Sequence, residues 1–324
     1  MKILILLYDV GWGMSILQVH GELSGAELAT EPDRLPDAHV VVFHVPTTPD
    51  VSRIRKYPGQ IWVAFSMESD VNYPSLSNLE YMRRFDLTMT YRRDSDIPVP
   101  YLGWKFEMLR NPPSPKTAES PAVYFASNPL DRCGRTAYVQ QLMDYLPVDS
   151  YGKCLNNRKL PDDSGWGSKF DTIARYKFTL AFENSISADY VTEKFFDALV
   201  AGSVPVYRGA PNIGDFAPGE DCFIDASQFS GPRELAEYLS YLDRHKERYE
   251  HYLRWKTQPL DGRFVEMVNR FSGDPLSRLA SKLSLRNGAL ESVHVQSDPI
   301  HKAVRWLDSA VRNRGREGST ASEP

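Results

Sequence analysis

Cysteine is scarce in this chain, with three residues in 324: Cys133, Cys154 and Cys222. The number is odd and no CxxC pair occurs, which excludes a disulfide framework and a thiolate zinc site and leaves free buried thiols. No Asn-x-Ser/Thr sequon is present, since Asn184-Ser185 runs into Ile186, and this argues against a secretory history. Long apolar runs are missing too. The run Ile3–Leu7 is five residues, too short for a membrane span or a signal-peptide core and suited to a buried strand. There is no GxGxxG and no Walker loop; Gly11-Trp12-Gly13 and Gly165-Trp166-Gly167 extend into neither, which disfavours a dinucleotide dehydrogenase and a P-loop kinase. A basic excess is also absent. The formal net charge is −4, so a nucleic-acid partner is not expected.

What is present is a globular composition, with 42% hydrophobic and 25% charged residues, and length enough for two domains. Strand-like runs stand at Lys2–Leu7, His39–His44, Ile61–Phe65, Ala122–Ala126, Phe178–Phe182 and Val204–Tyr207. Helical spacing appears at Arg135–Leu146, at Thr192–Val200 with a stop at Gly202, and at Arg233–Trp255 as one long helix or two joined ones. Alternating strands and helices predict a parallel α/β sheet in each half. Three prolines between Asn111 and Pro115 make a semi-rigid linker and mark the boundary. A ligand is then expected in a cleft beyond the carboxyl ends of the strands.

The densest chemical signal is Phe182-Glu183-Asn184-Ser185 followed by Asp189-Tyr190-Val191-Thr192-Glu193-Lys194. It spans a strand end and a helix start, where unpaired N–H groups and the helix dipole attract phosphate. A lysine in the first turn is unfavourable to the helix itself, and an opposing anion accounts for Lys194. Glu193 can accept from sugar hydroxyls, Asn184 can donate and accept, and Tyr190 offers a ring and a hydroxyl. The plain alternative is an amphipathic helix capped by Thr192, with Phe196, Leu199 and Val200 in the core.

The segment Phe182 to Pro211 resembles the donor-site signature of the α-1,3-fucosyltransferases, glycosyltransferase family 10. Phe85–Ile97 is similar to that family's stretch before the linker, Ser127-Asn128 with Arg135 to its first donor-domain motif, Tyr151–Cys154 to the next, and Trp255 to the close of the donor domain. The resemblance runs from about Gln60 to Lys256. It implies a GT-B fold, two Rossmann-like domains facing across a cleft: residues 1–112 for the acceptor, 120–272 for GDP-fucose, and 273–324 as an extension with a disordered tail. It implies an inverting transfer of L-fucose from GDP-β-L-fucose to an oligosaccharide acceptor, at O3 of N-acetylglucosamine. Glu68, after the strand ending at Phe65, is the implied base; Arg135 and Lys194 are the implied phosphate clamp, with Arg132 a near neighbour of Arg135. Tyr101, Ser127, Asn128, Asn184, Tyr190 and Glu193 would line the donor. No cofactor is required, and divalent metal is at most stimulatory. Asp94-Ser95-Asp96 could share a cation, but Arg92 and Arg93 adjoin it and favour ion pairs.

Two rivals stand beside this reading: a GT-B enzyme using another sugar nucleotide, and a non-catalytic glycan- or nucleotide-binding relative. The chain opens on its first strand with no span before it, so a cytoplasmic, soluble protein is expected. Peripheral membrane contact through the basic stretch Ile300–Arg316 is the most that lipid would see. Asp9–Thr30 is expected to help choose the acceptor.

Overall fold

Among the described residues ten short strands, most of them apolar on both faces, form two separate parallel sheets. The computed structural model describes residues 2–8, 17, 23, 25–48, 50–160 and 162–286. Gly11-Trp12-Gly13, most of the segment 9–24, the stretch 300–316 and the tail from 313 lie outside the described residues.

The first sheet contains β1 (Ile3–Leu7), β2 (Ala26–Ala29), β3 (Val40–His44), β4 (Ile61–Ser66) and β5 (Leu87–Thr90), in the order β2-β1-β3-β4-β5. Every residue of β3 is buried. Val40 and Val42 enter one hydrophobic cluster, and Val41 and Phe43 enter another on the opposite face. That two-sided burial is why the run reads as continuous Val and Phe instead of alternating with polar residues.

The second sheet contains β6 (Ala122–Phe125), β7 (Val148–Tyr151), β8 (Phe178–Phe182), β9 (Val204–Arg208) and β10 (Ile224–Asp225), in the order β10-β9-β8-β6-β7. Strand order reverses at β6, so its carboxyl end and that of β8 flank the switch-point crevice where α/β sheets bind ligands. The two parallel sheets bear out the expected pair of Rossmann-like halves.

Eight α-helices occur among the described residues: α1 (Leu79–Met82), α2 (Arg135–Met143), α3 (Trp166–Ala174), α4 (Glu193–Ala201), α5 (Pro232–Arg244), α6 (Lys246–His251), α7 (Gly262–Phe271) and α8 (Pro275–Arg286). The helical reading of 233–255 resolves into α5, α6 and a 3-10 turn at Arg254–Thr257. Past Gly273 the chain is not featureless: Leu276, Leu279, Ala280 and Leu283 of α8 pack into the core of the first sheet. Lys282 Nζ donates to Asp96 Oδ1 at 3.0 Å, and Arg278 Nη2 donates to the Pro98 carbonyl at 2.6 Å. The last described helix thus returns to the first half of the chain.

The Pro-rich linker is pinned by two lysines. Lys116 Nζ donates to the carbonyls of Ala174 and Gly202, at the ends of α3 and α4. Lys256 Nζ donates to the carbonyls of Leu109 and Asn111. Gly202 has φ +70°, and a Cβ there would stand 2.7 Å from Pro113, so this helix stop also lets the linker pass. Among the described residues no helix is long and apolar enough to cross a membrane. The three cysteines are free thiols, with Cys222 buried and the other two half-buried.

Candidate active site

β8 ends at Phe182 and α4 begins at Glu193, so the intervening segment crosses the switch-point crevice. Thr192 caps α4, accepting from the Lys194 N–H. Glu183 holds that cap from behind. Its side chain is fully buried, with Oε1 accepting from Thr192 N and Oε2 from Thr192 Oγ1, each at 2.8 Å. Burial raises the Glu183 carboxyl above the usual carboxylate range, and the Lys194 ammonium, 3.5 Å away, offsets only part of that rise.

Lys194 Nζ lies 3.0 Å from Glu193 Oε1 and 2.9 Å from Thr192 Oγ1. Burial alone would lower its pKa; the charges of Glu193 and Glu183 outweigh that and raise it, so the ammonium stays charged. Burial likewise raises the Glu193 carboxyl, but Lys194 and Lys169 outweigh it and hold it at about 2. Lys169 is fixed by Asp197 of α4, which also binds Lys105. The α4 terminus therefore carries a permanent cation between the Glu183 and Glu193 carboxyl groups, at the positive end of the helix dipole.

The N-terminal half meets this segment along a row of hydrogen bonds. Ser69 Oγ pairs with Ser185 Oγ at 2.6 Å, and Asn72 Nδ2 donates to Asn184 Oδ1 at 2.8 Å. Ser187 Oγ donates to Asp70 Oδ1 at 2.6 Å, and Tyr190 OH donates to Glu68 Oε2 at 3.2 Å. Glu68 follows β4 on a turn in which its N–H donates to Ser66 Oγ. It is half-buried and faces the C-terminal half. Tyr190 is buried, edge-on to Tyr91 at 5.1 Å and to Tyr101 at 6.4 Å, so its ring is packed by protein and its hydroxyl is the group that meets Glu68. Tyr101 OH donates to the Met67 carbonyl, beside Glu68.

Glu68, Tyr101, Asn184, Tyr190, Glu193 and Lys194 are thus brought to one cleft. Arg135 reaches it differently. Its side chain is 2% exposed, and Nη1 and Nη2 donate to the carbonyls of Phe182 and Asn128 at 3.1 and 2.9 Å. Two of its five N–H donors are committed to the ends of β8 and of the loop after β6. Ser127 and Asn128 are exposed on that loop. Arg132 is exposed, and its backbone N–H donates to the Asn184 carbonyl at 2.8 Å. Asp131 anchors the start of α2: burial would raise its carboxyl, but hydrogen bonds from Thr136, Arg135 and Cys133 hold it down at about 2.

Asp94 forms a two-pronged pair with Arg92, at 2.9 Å on each prong, while Asp96 binds Lys282 and Thr88. The two carboxylates are engaged by different partners, and no group of three or more His, Cys, Asp or Glu among the described residues is arranged to hold a metal. Arg93 does not join them; it crosses to the C-terminal half. A cavity of 340 Å³ opens on the N-terminal half, lined by Asp70, Thr88, Thr90, Tyr91, Arg92 and Asp94 among others. Asn72 carries no signal in the sequence, and Glu183, Asp189 and Arg93, which stand in or beside the motifs, carry no signal there of the pairs they form. The bonds from Asn72 and Arg93 reach residues 96 to 122 positions away in the chain, and no local pattern reports such pairs.

Two family descriptions match the chain, one on each half. The family description "Fucosyltransferase, N-terminal" matches residues 2–102, and "Glycosyltransferase family 10 (fucosyltransferase) C-term" matches residues 115–289. A putative fucosyltransferase-like protein of Arabidopsis thaliana is 38% identical over 278 residues, 83% of this chain and 53% of the relative. GDP-fucose protein O-fucosyltransferase 3 of Gallus gallus is 40% identical over 215 residues, 60% of this chain and 44% of the relative. The chain spans about half the length of these curated relatives. A crystal structure of an α1,3-fucosyltransferase with GDP-fucose superposes with a TM-score of 0.58 at 18% identity, covering 89% of this chain and 92% of that one, a likeness of fold. With family matches over both halves, each falling on one of the two sheets, this chain belongs to glycosyltransferase family 10, the fucosyltransferases.

Proposed function

We propose that the chain transfers L-fucose from GDP-β-L-fucose to an acceptor hydroxyl in a single in-line, inverting displacement. The observation that carries this reading is the pairing across the cleft: Glu68 of one half stands against Tyr190 of the other, 3.2 Å apart, four residues before the Lys194 cation. Glu68 takes the acceptor proton as the acceptor oxygen attacks the anomeric carbon. The bond from that carbon to the β-phosphate oxygen breaks, and its electron pair leaves with GDP. Lys194 and the α4 N-terminus receive the developing diphosphate charge; contacts of this kind are each worth about 10²–10³ in rate. Arg135 lends its charge from beneath while tying Phe182 to Asn128. Glu193, ionised and half-exposed, accepts from a fucose hydroxyl. Ser127 and Asn128, on the exposed loop, contribute at the rim. Since Lys194, Arg135 and the helix terminus supply the positive charge, the reading requires no divalent ion.

For the acceptor, a hydroxyl borne by a protein is favoured, because the relative named GDP-fucose protein O-fucosyltransferase 3 stands at 40% identity. The cavity beside Asp70 offers room for it. The O3 hydroxyl of N-acetylglucosamine is the second reading, supported by the donor-site resemblance and by the fold of the α1,3-fucosyltransferase structure. Radiolabelled GDP-fucose offered with folded protein domains and, separately, with N-acetyllactosamine glycans separates the two. Label on protein alone supports the first, and label on glycan alone supports the second. Consumption of a different sugar nucleotide in place of GDP-fucose would contradict both.

A further inference from the structure

One side chain links the halves more extensively than any pair in the hydrogen-bond row. Arg93 lies three residues past β5, in the acceptor half. Its backbone N–H donates to Asp189 Oδ2 at 3.0 Å, its Nε to Asp189 Oδ1 at 2.8 Å, and its Nη2 to Asp215 Oδ2 at 2.6 Å. The guanidinium carbon also sits 5.2 Å above the Phe216 ring. Asp189, Asp215 and Phe216 all belong to the donor half.

Asp189 has φ +64°, a left-handed conformation that Asp tolerates better than most residues with a Cβ but that still needs support. Support comes from both sides. The Asp189 N–H donates to Asn212 Oδ1, and Asn212 Nδ2 donates back to Asp189 Oδ1, each at 2.9 Å. With the two bonds from Arg93, four hydrogen bonds hold this one residue. The next residue is Tyr190, whose hydroxyl meets Glu68. Tyr91, two residues before Arg93, packs edge-on against that same ring.

We propose that Arg93 is a positioning residue, a strap that holds the left-handed turn at Asp189 and thereby sets Tyr190 against Glu68 across the cleft. The inference rests on the reading of Glu68 as the base. Arg93 is 35% exposed, so as an isolated ion pair it would contribute little to stability. Its effect is geometric. A planar fork can engage Asp189 and Asp215 together, whereas a lysine ammonium can satisfy only part of that geometry.

The test uses the full chain as wild type, Arg93→Ala, Arg93→Lys and Asp189→Asn. Four quantities are read: kcat and KM with GDP-fucose, Kd for GDP by calorimetry, thermal midpoint, and amide hydrogen exchange over residues 184–191. Arg93→Ala is expected to lower kcat by about 10²-fold, the scale of a ~1 Å misplacement, while Kd for GDP stays within about threefold. Exchange at 188–191 quickens, and Arg93→Lys recovers part of the lost kcat. A kcat unchanged in Arg93→Ala, or a GDP affinity that weakens in step with kcat, overturns the strap. If Arg93→Ala does not fold, Asp189→Asn, which leaves the Asp215 contact in place, is judged by the same criteria. A wild type that neither transfers nor hydrolyses fucose from GDP-fucose overturns the reading of the site instead; the strap is then decided by exchange alone, and unchanged protection at 188–191 refutes it.

Discussion

Removing the Glu183 carboxylate tests whether it holds the start of α4 through Thr192. In Glu183→Ala the Thr192 N–H and hydroxyl both lose their acceptor. A buried donor left without a partner costs about 1–3 kcal/mol, and a weakened N-cap about 1 kcal/mol. The sum, about 2–4 kcal/mol, corresponds to a fall in thermal midpoint of about 5–15 °C for a domain of this size. Glu183→Gln should cost less than half as much, because its amide oxygen can still accept from the Thr192 N–H. The Lys194 ammonium would also lose one of two nearby carboxylates, with Glu193 remaining at 3.0 Å. GDP should therefore raise the midpoint of Glu183→Gln at least as much as it raises that of wild type. Circular dichroism melts of the three proteins, with and without GDP, are sufficient. A midpoint for Glu183→Ala within about 1 °C of wild type would refute the claim that this carboxylate holds the α4 terminus.

Four further outcomes are expected. Glu68→Gln should lower transfer by about 10²–10⁴-fold with GDP affinity retained, since it removes proton acceptance and no phosphate contact; ordinary turnover would mean another group is the base. Lys194→Ala should reduce donor turnover by about 10²–10³-fold, Arg135→Ala should reduce both turnover and thermal midpoint, and Arg132→Ala should do little; equal losses at Arg132 and Arg135 would refute the assignment. Activity should survive chelation, and complete loss restored by a divalent ion would reopen Asp94 and Asp96 as ligands. Stability in denaturant should rise from pH 8 to about 9.5: burial pushes Lys116 and Lys256 down to about 8, so the folded chain sheds those protons before the unfolded chain does near the ordinary lysine value. Above pH 10 the trend should reverse, because burial raises the Tyr124 and Tyr190 phenols and the unfolded chain ionises first; a profile flat between pH 8 and 9.5 would count against the buried lysines.

The parts legible in the sequence are those encoded locally. β3, β4, β8 and β9 are continuous apolar runs, and α4 carries its own cap at Thr192 and its own stop at Gly202. The loop from Phe182 to Lys194 is legible because a strand end, polar residues and a helix start follow in order. β2, β7 and β10 are short and mixed in polarity, with Glu27, Asp149, Ser150 and Asp225 among their few residues, so pairing with neighbours defines them more than composition does. α8 has helical spacing at Leu276, Leu279, Ala280 and Leu283, but what it covers is set by tertiary packing. The Arg93–Asp189 pair and the Asn72–Asn184 bond join residues 96 and 112 apart. Arg93 looks, in sequence, like a partner for the adjacent Asp94 and Asp96; Arg92 and Lys282 take those roles instead.

The central claim is most directly tested by following the anomeric proton in nuclear magnetic resonance while the wild-type chain turns over GDP-β-L-fucose with an accepted hydroxyl. The expected result is GDP together with an α-linked fucoside, with Glu68→Gln binding GDP yet forming product about 10²–10⁴-fold more slowly. A β-linked fucoside, or turnover of another sugar nucleotide with GDP-fucose left untouched, would contradict it.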